Sequence, residues 1–323
     1  MAPNTRFLFE KNVGSISTEA ILAARPPKNS VDPRRPYAFF MERECAAGGA
    51  VVDVATLFLT NRECPWRCLM CDLWQNTTDD TVPPGAIVAQ MDYALSRLPA
   101  AQHIKLYNSG NFFDPRAVPP DEHRAIARRV ERFERVIVEN HPRLCGDACL
   151  RFHDLCGRRL EIALGLETIH PQVLPLLNKG MTLDDFARAV EFLLVGGLSV
   201  RAFLLLRPPL LSEAEGVEWA LKSLEYAFSL GVGRCAVIPT RGGNGILSRL
   251  AEQGLFAEPN IRSLEQVLEY GISLNHGLVM ADLWDIERFF DCRECGPRRA
   301  ARLMEMNLRQ VVLPDVICGH CRS

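Results

Sequence analysis

Six short apolar runs, at residues 55–59, 103–107, 135–138, 160–164, 200–206 and 234–238, set the rhythm of the chain. Each is bounded by turn-forming or charged residues, the pattern of strands buried on both faces of a parallel sheet. Between them apolar positions recur at helical spacing. Thr182 and Asp185 stand at the capping-box offset ahead of Leu183, Phe186, Val190 and Leu194, and Ser212 and Glu215 repeat the device ahead of Val217, Leu221, Leu224 and Phe228. Six strand–helix units in succession predict an α/β fold, either a parallel barrel or an open doubly wound sheet. Residues 1–50, punctuated by Pro26, Pro27, Pro33 and Pro36, predict an extended approach with one short helix. Beyond residue 257 the alternation fades into a tail of paired cysteines. The expected division is thus an N-terminal extension over 1–50, a barrel over 51–257 and a C-terminal extension over 258–323.

Ligands of parallel α/β folds gather beyond the C-terminal ends of the strands. The unusual residues of this chain fall there. A cysteine triplet follows the first run and Asn108-Ser109-Gly110-Asn111 the second. Glu139-Asn140-His141 close the third, Glu167-Thr168 follow the fourth, Arg207-Pro208-Pro209 the fifth and Pro239-Thr240 the sixth. A barrel with no function beyond structure has no need of one polar, cysteine-lined end.

Charge narrows the classes. The net charge is −2 and the pI about 6.4, which argues against a chain that binds nucleic acid by bulk electrostatics. No apolar run is long enough to span a bilayer, and the N-terminus lacks the basic start and apolar stretch of a secretory signal, so a cytoplasmic protein is expected. Twelve cysteines in a reducing compartment point to metal or redox chemistry rather than structural disulfides.

Cys64-Pro65-Trp66-Arg67-Cys68-Leu69-Met70-Cys71 has the spacing CxxxCxxC. Three thiolates on a short loop suit three irons of a 4Fe–4S cubane, leaving the fourth iron open. The open iron is positioned to chelate the amino and carboxylate groups of S-adenosylmethionine (SAM). A zinc knuckle is the alternative, but structural zinc is usually closed by four ligands, and the nearest upstream cysteine is the distant Cys45. The triplet, placed after the first barrel strand with Met70 before its last cysteine, resembles the signature of the radical SAM superfamily. That resemblance covers roughly residues 51–257. It implies a partial (βα)6 barrel and reductive cleavage of SAM to a 5′-deoxyadenosyl radical. It also implies a reductant such as flavodoxin or ferredoxin.

The same resemblance assigns the remaining pocket. Ser109, Gly110 and Asn111 take the place of the family's Gly-Gly-Glu motif, which receives the SAM amino group, with one glycine kept and Asn in place of the acid. Glu139 and Glu167 are expected to hold amino or ribose hydroxyl groups by charge-assisted hydrogen bonds. Arg201 or Arg207 is expected to grip the methionine carboxylate, and Thr240, beside the Arg241–Gly245 turn, to border the adenine. The runs 108–115, 134–139, 165–168 and 204–209 are similar to the archaeosine synthase radical SAM subunit and, more distantly, to the Elongator catalytic subunit. The archaeosine resemblance implies C–N bond cleavage on a lysine-bearing deazaguanine in tRNA. A small-molecule substrate, or a non-catalytic iron–sulfur redox protein, are the other readings.

Cys292 and Cys295 are followed by Cys318 and Cys321, two knuckles of the form CxxC. They suit a zinc ion or an auxiliary iron–sulfur cluster, with His320 as a further donor. Cys145, Cys149 and Cys156 are spaced too loosely for a third metal, and Cys235 is expected as a buried apolar residue. The arginine-rich stretches 124–135 and 298–302 are expected to be solvated helix faces. Direct tRNA binding is therefore expected to be weak without a partner subunit.

Overall fold

A computed structural model describes residues 16–321. The N-terminus, expected to lack a secretory signal, lies outside the described residues. Among the described residues, eight strands form one curled sheet in sequential order. β1 (Ala38–Cys45) is antiparallel to β2 (Val51–Leu59). From there every neighbouring pair is parallel, through β3 (His103–Asn108), β4 (Arg135–Asn140), β5 (Leu160–Glu167), β6 (Ser199–Leu206), β7 (Arg234–Pro239) and β8 (Leu278–Ala281). The helices that cover the sheet are α1 (Thr18–Ala24), α2 (Ala86–Leu95), α3 (His123–Val130), α4 (Asp147–Leu155), α5 (Val173–Leu176), α6 (Leu183–Val195), α7 (Glu213–Ser229), α8 (Ile246–Glu252), α9 (Ile261–Leu274) and α10 (Gly296–Arg309). The fold is an α/β half-barrel with a four-cysteine C-terminal extension. No helix among the described residues is long and apolar enough to cross a membrane.

All six expected strands are present, and both expected capping boxes form. The Thr182 side chain accepts from the Asp185 N–H at the start of α6, and Ser212 accepts from Glu215 at the start of α7. Each satisfies an N–H group that the helix itself leaves unpaired. Two strands were not anticipated. β1 lies within residues 1–50 and β8 beyond residue 257, so the sheet runs past both expected boundaries. α10 packs against both edge strands, β1 and β8, across the open side of the half-barrel.

Strand side chains alternate between two environments. Ile104, Leu106, Val136, Val138, Ile162 and Leu164 face the helices and belong to the main core. Tyr107, Ile137 and Ala163 face the inside of the barrel with Phe58 and Phe203. Below that apolar layer, at the end where the strands begin, the interior is ionic. Glu44 accepts from Arg201 through both carboxylate oxygens at 3.0 Å, Arg201 also donates to Glu161 at 2.7 Å, and Lys105 pairs with Glu42 and Glu44. Burial works against the Glu44 carboxylate, but Arg201, Lys105 and Arg234 outweigh it and hold its pKa well below the usual range. Mutual pairing is what makes charges tolerable there.

This placement corrects one expectation. Arg201 is the third residue of β6, at the closed end of the barrel, and all three guanidinium nitrogens serve Glu44 and Glu161. It is a strut of the barrel floor, away from the strand ends where a ligand carboxylate would sit.

Candidate active site

The cysteine loop leaves the C-terminal end of β2, and the loops after β5 and β7 hold it. Leu69 is fully buried among Val173, Leu177, Leu205 and Leu247, and its N–H donates to the Leu177 carbonyl at 2.9 Å. The Asn178 amide donates to the Arg67 carbonyl at 2.8 Å. The Asn244 amide donates to the carbonyls of Leu69 at 2.7 Å and Cys71 at 3.3 Å. Trp74 donates its indole N–H to the Cys71 carbonyl at 3.1 Å. On the other flank Trp66 stacks on His141, ring centroids 3.6 Å apart and planes 8° from parallel. A loop pinned at this many backbone atoms presents its three thiols in one arrangement, the preorganisation a metal site requires.

Cys64, Cys68 and Cys71 are free thiols. Burial pushes the Cys64 thiol up, the Cys68 thiol to about 12, and the Cys71 thiol up as well. As bare groups they are neutral; positive metal centres would hold them as thiolates. The Asn111 amide donates to Cys64 Sγ at 3.2 Å, a donor suited to a sulfur that carries negative charge. The donor set and its second-layer partner fit an iron–sulfur cluster.

The residues expected around SAM divide into those the structure brings together and those it does not. Ser109 Oγ lies 3.3 Å from the Tyr37 hydroxyl. Gly110 is closely packed: a Cβ there would fall 2.3 Å from Asn61 Nδ2 and 3.1 Å from the Arg62 carbonyl, so Asn61 would have to move. Glu139 accepts from the Asn108 N–H at 3.1 Å, and burial raises its carboxyl to about 7. Glu167 ends β5 at a bulge with φ +65° and pairs with the buried Lys179 at 2.6 Å. Gly165 makes that pair possible, since a Cβ there would lie 2.1 Å from Glu167 Oε1. Burial pulls the Lys179 ammonium down, but Glu167 and the nearby cysteines more than restore it. Ser109, Gly110, Asn111, Glu139 and Glu167 thus converge around the cysteine loop.

Arg207 and Thr240 have structural partners. Arg207 reaches Glu213 at 2.5 Å and the Glu258 carbonyl at 2.8 Å. Thr240 is buried and donates to the Leu206 carbonyl at 2.9 Å. Residues not singled out in the sequence also sit here: Tyr37, Lys179, Asn178 and Asn244. Asn244 carried a signal, a polar side chain within the glycine-rich turn after β7. Tyr37 and Lys179 carried none, because each arrives from a segment without a motif.

The C-terminal quartet is assembled differently. The Sγ atoms of Cys292, Cys295, Cys318 and Cys321 all lie within 4.8 Å of one another. Cys292 and Cys318 are 4.0 Å apart, and Cys295 and Cys321 3.5 Å. His320 contributes its backbone N–H to Cys318 Sγ at 3.4 Å. Arg299 and Arg302 are not a solvated face. Both are buried and pair with Glu265 on α9 while donating to the Val316, Pro314 and Leu313 carbonyls. They lash the last segment to α9 and α10. Cys149, Cys156 and Cys235 are buried in the main core, as expected for apolar-type cysteines.

No family model matches the chain. An uncharacterised protein of Methanocaldococcus jannaschii is 22% identical over 302 residues, covering 86% of this chain and 82% of that protein. Archaeosine synthase subunit beta of Methanosarcina acetivorans is 26% identical over 238 residues, covering 68% of this chain and 67% of the relative. Among solved structures, Methanocaldococcus infernus Elp3 superposes with a TM-score of 0.54 at 15% identity, over 79% of this chain and 64% of that one. The curled half-barrel with its cysteine loop at the strand ends has the fold of the radical SAM superfamily. In sequence the chain is a distant homologue of archaeosine synthase subunit beta.

Proposed function

We propose that this protein is a radical SAM enzyme whose Cys64, Cys68 and Cys71 hold a 4Fe–4S cluster. The observation that carries the reading is the pinned loop of three half-buried free thiols with Asn111 donating to one of them. When bound, the cluster supplies an electron to SAM, releasing a 5′-deoxyadenosyl radical that takes a hydrogen atom from substrate. The chain's own groups position and exclude. The Ser109–Asn111 segment, whose Asn111 reaches Cys64 Sγ, is assigned to the SAM amino group. Glu139 and the Lys179-paired Glu167 offer carboxylate oxygens for ammonium or ribose hydroxyls. The apolar layer of Phe58, Tyr107 and Phe203 beneath them keeps water from the reacting atoms.

Homology to archaeosine synthase subunit beta supports a nitrogen-bearing, purine-like substrate and C–N bond cleavage, hence a lyase, with any action on tRNA depending on a partner subunit. A small-molecule substrate is the second reading, favoured by the net charge of −2. For the tail we propose zinc. Zn–S bonds of about 2.3 Å in a tetrahedron place sulfurs about 3.8 Å apart, and the Cys292–Cys318 and Cys295–Cys321 separations are 4.0 and 3.5 Å. A cubane would spread its four thiolates over four irons and hold them farther apart. The deciding experiment is anaerobic reconstitution with iron and sulfide followed by assay for dithionite-dependent 5′-deoxyadenosine. A brown protein that forms it is an enzyme of this class; a brown protein that binds SAM without cleaving it is an iron–sulfur redox protein.

A further inference from the structure

On its outer flank the cysteine loop borders a concavity of about 330 Å³ lined by Arg62, Glu63, Pro65, Arg67, Asp79 and Arg116. Pro65 directly follows Cys64, and Arg116 is close enough for the Cys64 sulfur to contribute to raising its pKa, after its main partner Asp114. The charges here are unbalanced. Glu63 is shared by Arg25, Lys28 and Arg67, Asp79 pairs with Lys28, and Asp114 with Arg116. Arg62 has no acidic partner among the described residues. Three arginines therefore line the concavity against two carboxylates, on a chain whose net charge is −2.

The inner flank of the same loop has the opposite character. Glu139, which accepts from the Asn108 N–H, and Glu167, paired with Lys179, lie on that side. The inner flank is where SAM and substrate belong in the reading above. An electron bound for the loop must then arrive from outside, at the thiol nearest the surface, because electron transfer slows steeply with distance.

We propose that this basic concavity docks an acidic, low-potential one-electron carrier protein, with Arg62 and Arg116 as its steering charges. The proposal rests on the radical-enzyme reading and names the partner of that site. In the step served by docking, the carrier is oxidised by one electron and the iron–sulfur centre is reduced by one; no bond or proton is exchanged. A compact patch with Glu63 and Asp79 set into it matches the mixed-charge surface of a small protein. A nucleic-acid backbone needs a longer stripe of one sign.

The test uses full-length protein and flavodoxin as the probe. Titration of flavodoxin against the wild type at about 50 mM salt gives binding that weakens steeply as salt rises, as for steered charged partners. The R62E/R116E variant should bind flavodoxin about tenfold more weakly, and R62K/R116K should bind nearly as well as wild type. After reconstitution, flavodoxin-driven 5′-deoxyadenosine formation should fall by a similar factor in R62E/R116E, while dithionite-driven formation should stay at the wild-type rate. An unchanged thermal midpoint shows that the variant folds. Unaltered flavodoxin binding in R62E/R116E overturns the proposal, as does an equal loss under both reductants. Loss of tRNA binding in that variant with flavodoxin binding intact makes the concavity a phosphate site instead. If wild-type protein forms no 5′-deoxyadenosine with either reductant, the enzymatic reading fails and the binding titration alone decides the docking site.

Discussion

The two cysteine centres of this molecule solve opposite problems. At the barrel mouth three thiols sit on one short loop whose backbone is pinned by Asn178, Asn244, Trp74 and the Leu177 carbonyl. The thiols themselves form few hydrogen bonds, and the surroundings are contributed by distant strands. In the tail four sulfurs converge within 4.8 Å from two knuckles, one at the start of α10 and one on the last segment, which Arg299 and Arg302 tie back to the helices. The backbone donors at Cys318 pull its thiol pKa down to about 6, which readies it for metal. In the proposed reading, the first centre is a site that the fold builds before any metal arrives. In the second, metal binding would contribute directly to holding the last segment, whose side chains are mostly exposed. An open triplet leaves a coordination position for chemistry; a closed quartet leaves none.

The comparison breaks first at Cys68. Cys68→Ala should abolish both the brown chromophore and 5′-deoxyadenosine formation, a loss beyond about a thousandfold, because a cubane on two protein thiolates is labile. Tail metal should be unaffected, by metal analysis. Retention of full activity would end the cluster assignment.

The converse replacement, Cys292→Ala with Cys318→Ala, should remove about one zinc per chain and lower the thermal midpoint by several degrees, leaving the loop's cluster spectrum unchanged. About four extra irons with matching sulfide in the wild type would make the tail an auxiliary cluster and erase the contrast.

A smaller effect is expected at the pins. Asn244→Ala removes two side-chain bonds to the loop backbone, worth about 1–3 kcal/mol. The cluster should still assemble but leak to a chelator several-fold faster. An unchanged loss rate would show that the loop does not depend on the β7 turn.

The smallest effect is one of pH. Burial raises the Glu139 pKa to about 7, above its unfolded value, so the neutral form is the one the fold favours. Its contribution to stability is complete below the unfolded pKa and is lost as pH rises through 7. Without cofactors, Glu139→Gln should therefore melt a few degrees higher than wild type at pH 8 and at the same temperature at pH 4. With cluster in place, the same variant and Glu167→Gln should each weaken SAM binding by about 1–3 kcal/mol. Unchanged SAM affinity in both would make these carboxylates structural.

Local chemistry determined much of this protein in advance. The six parallel strands were legible because buried strands are short apolar runs, and α6 and α7 because Thr182–Asp185 and Ser212–Glu215 satisfy helix ends using only near neighbours. Both cysteine clusters were legible because cysteines close together in sequence must share a loop. β1 escaped notice because Glu42 and Glu44 break its apolar pattern, and those charges make sense only beside Lys105 and Arg201. Arg201 looked like a ligand-gripping residue for the same reason: its partners Glu44 and Glu161 lie far away in sequence. Lys179 beside Glu167, Tyr37 beside Ser109 and Asn244 on the cysteine loop were likewise settled only by tertiary packing. Spacing along the chain specifies which groups can share a loop or a helix turn. Which end of a buried strand a charge occupies, and what neutralises it there, depends on strands that meet only when the sheet curls.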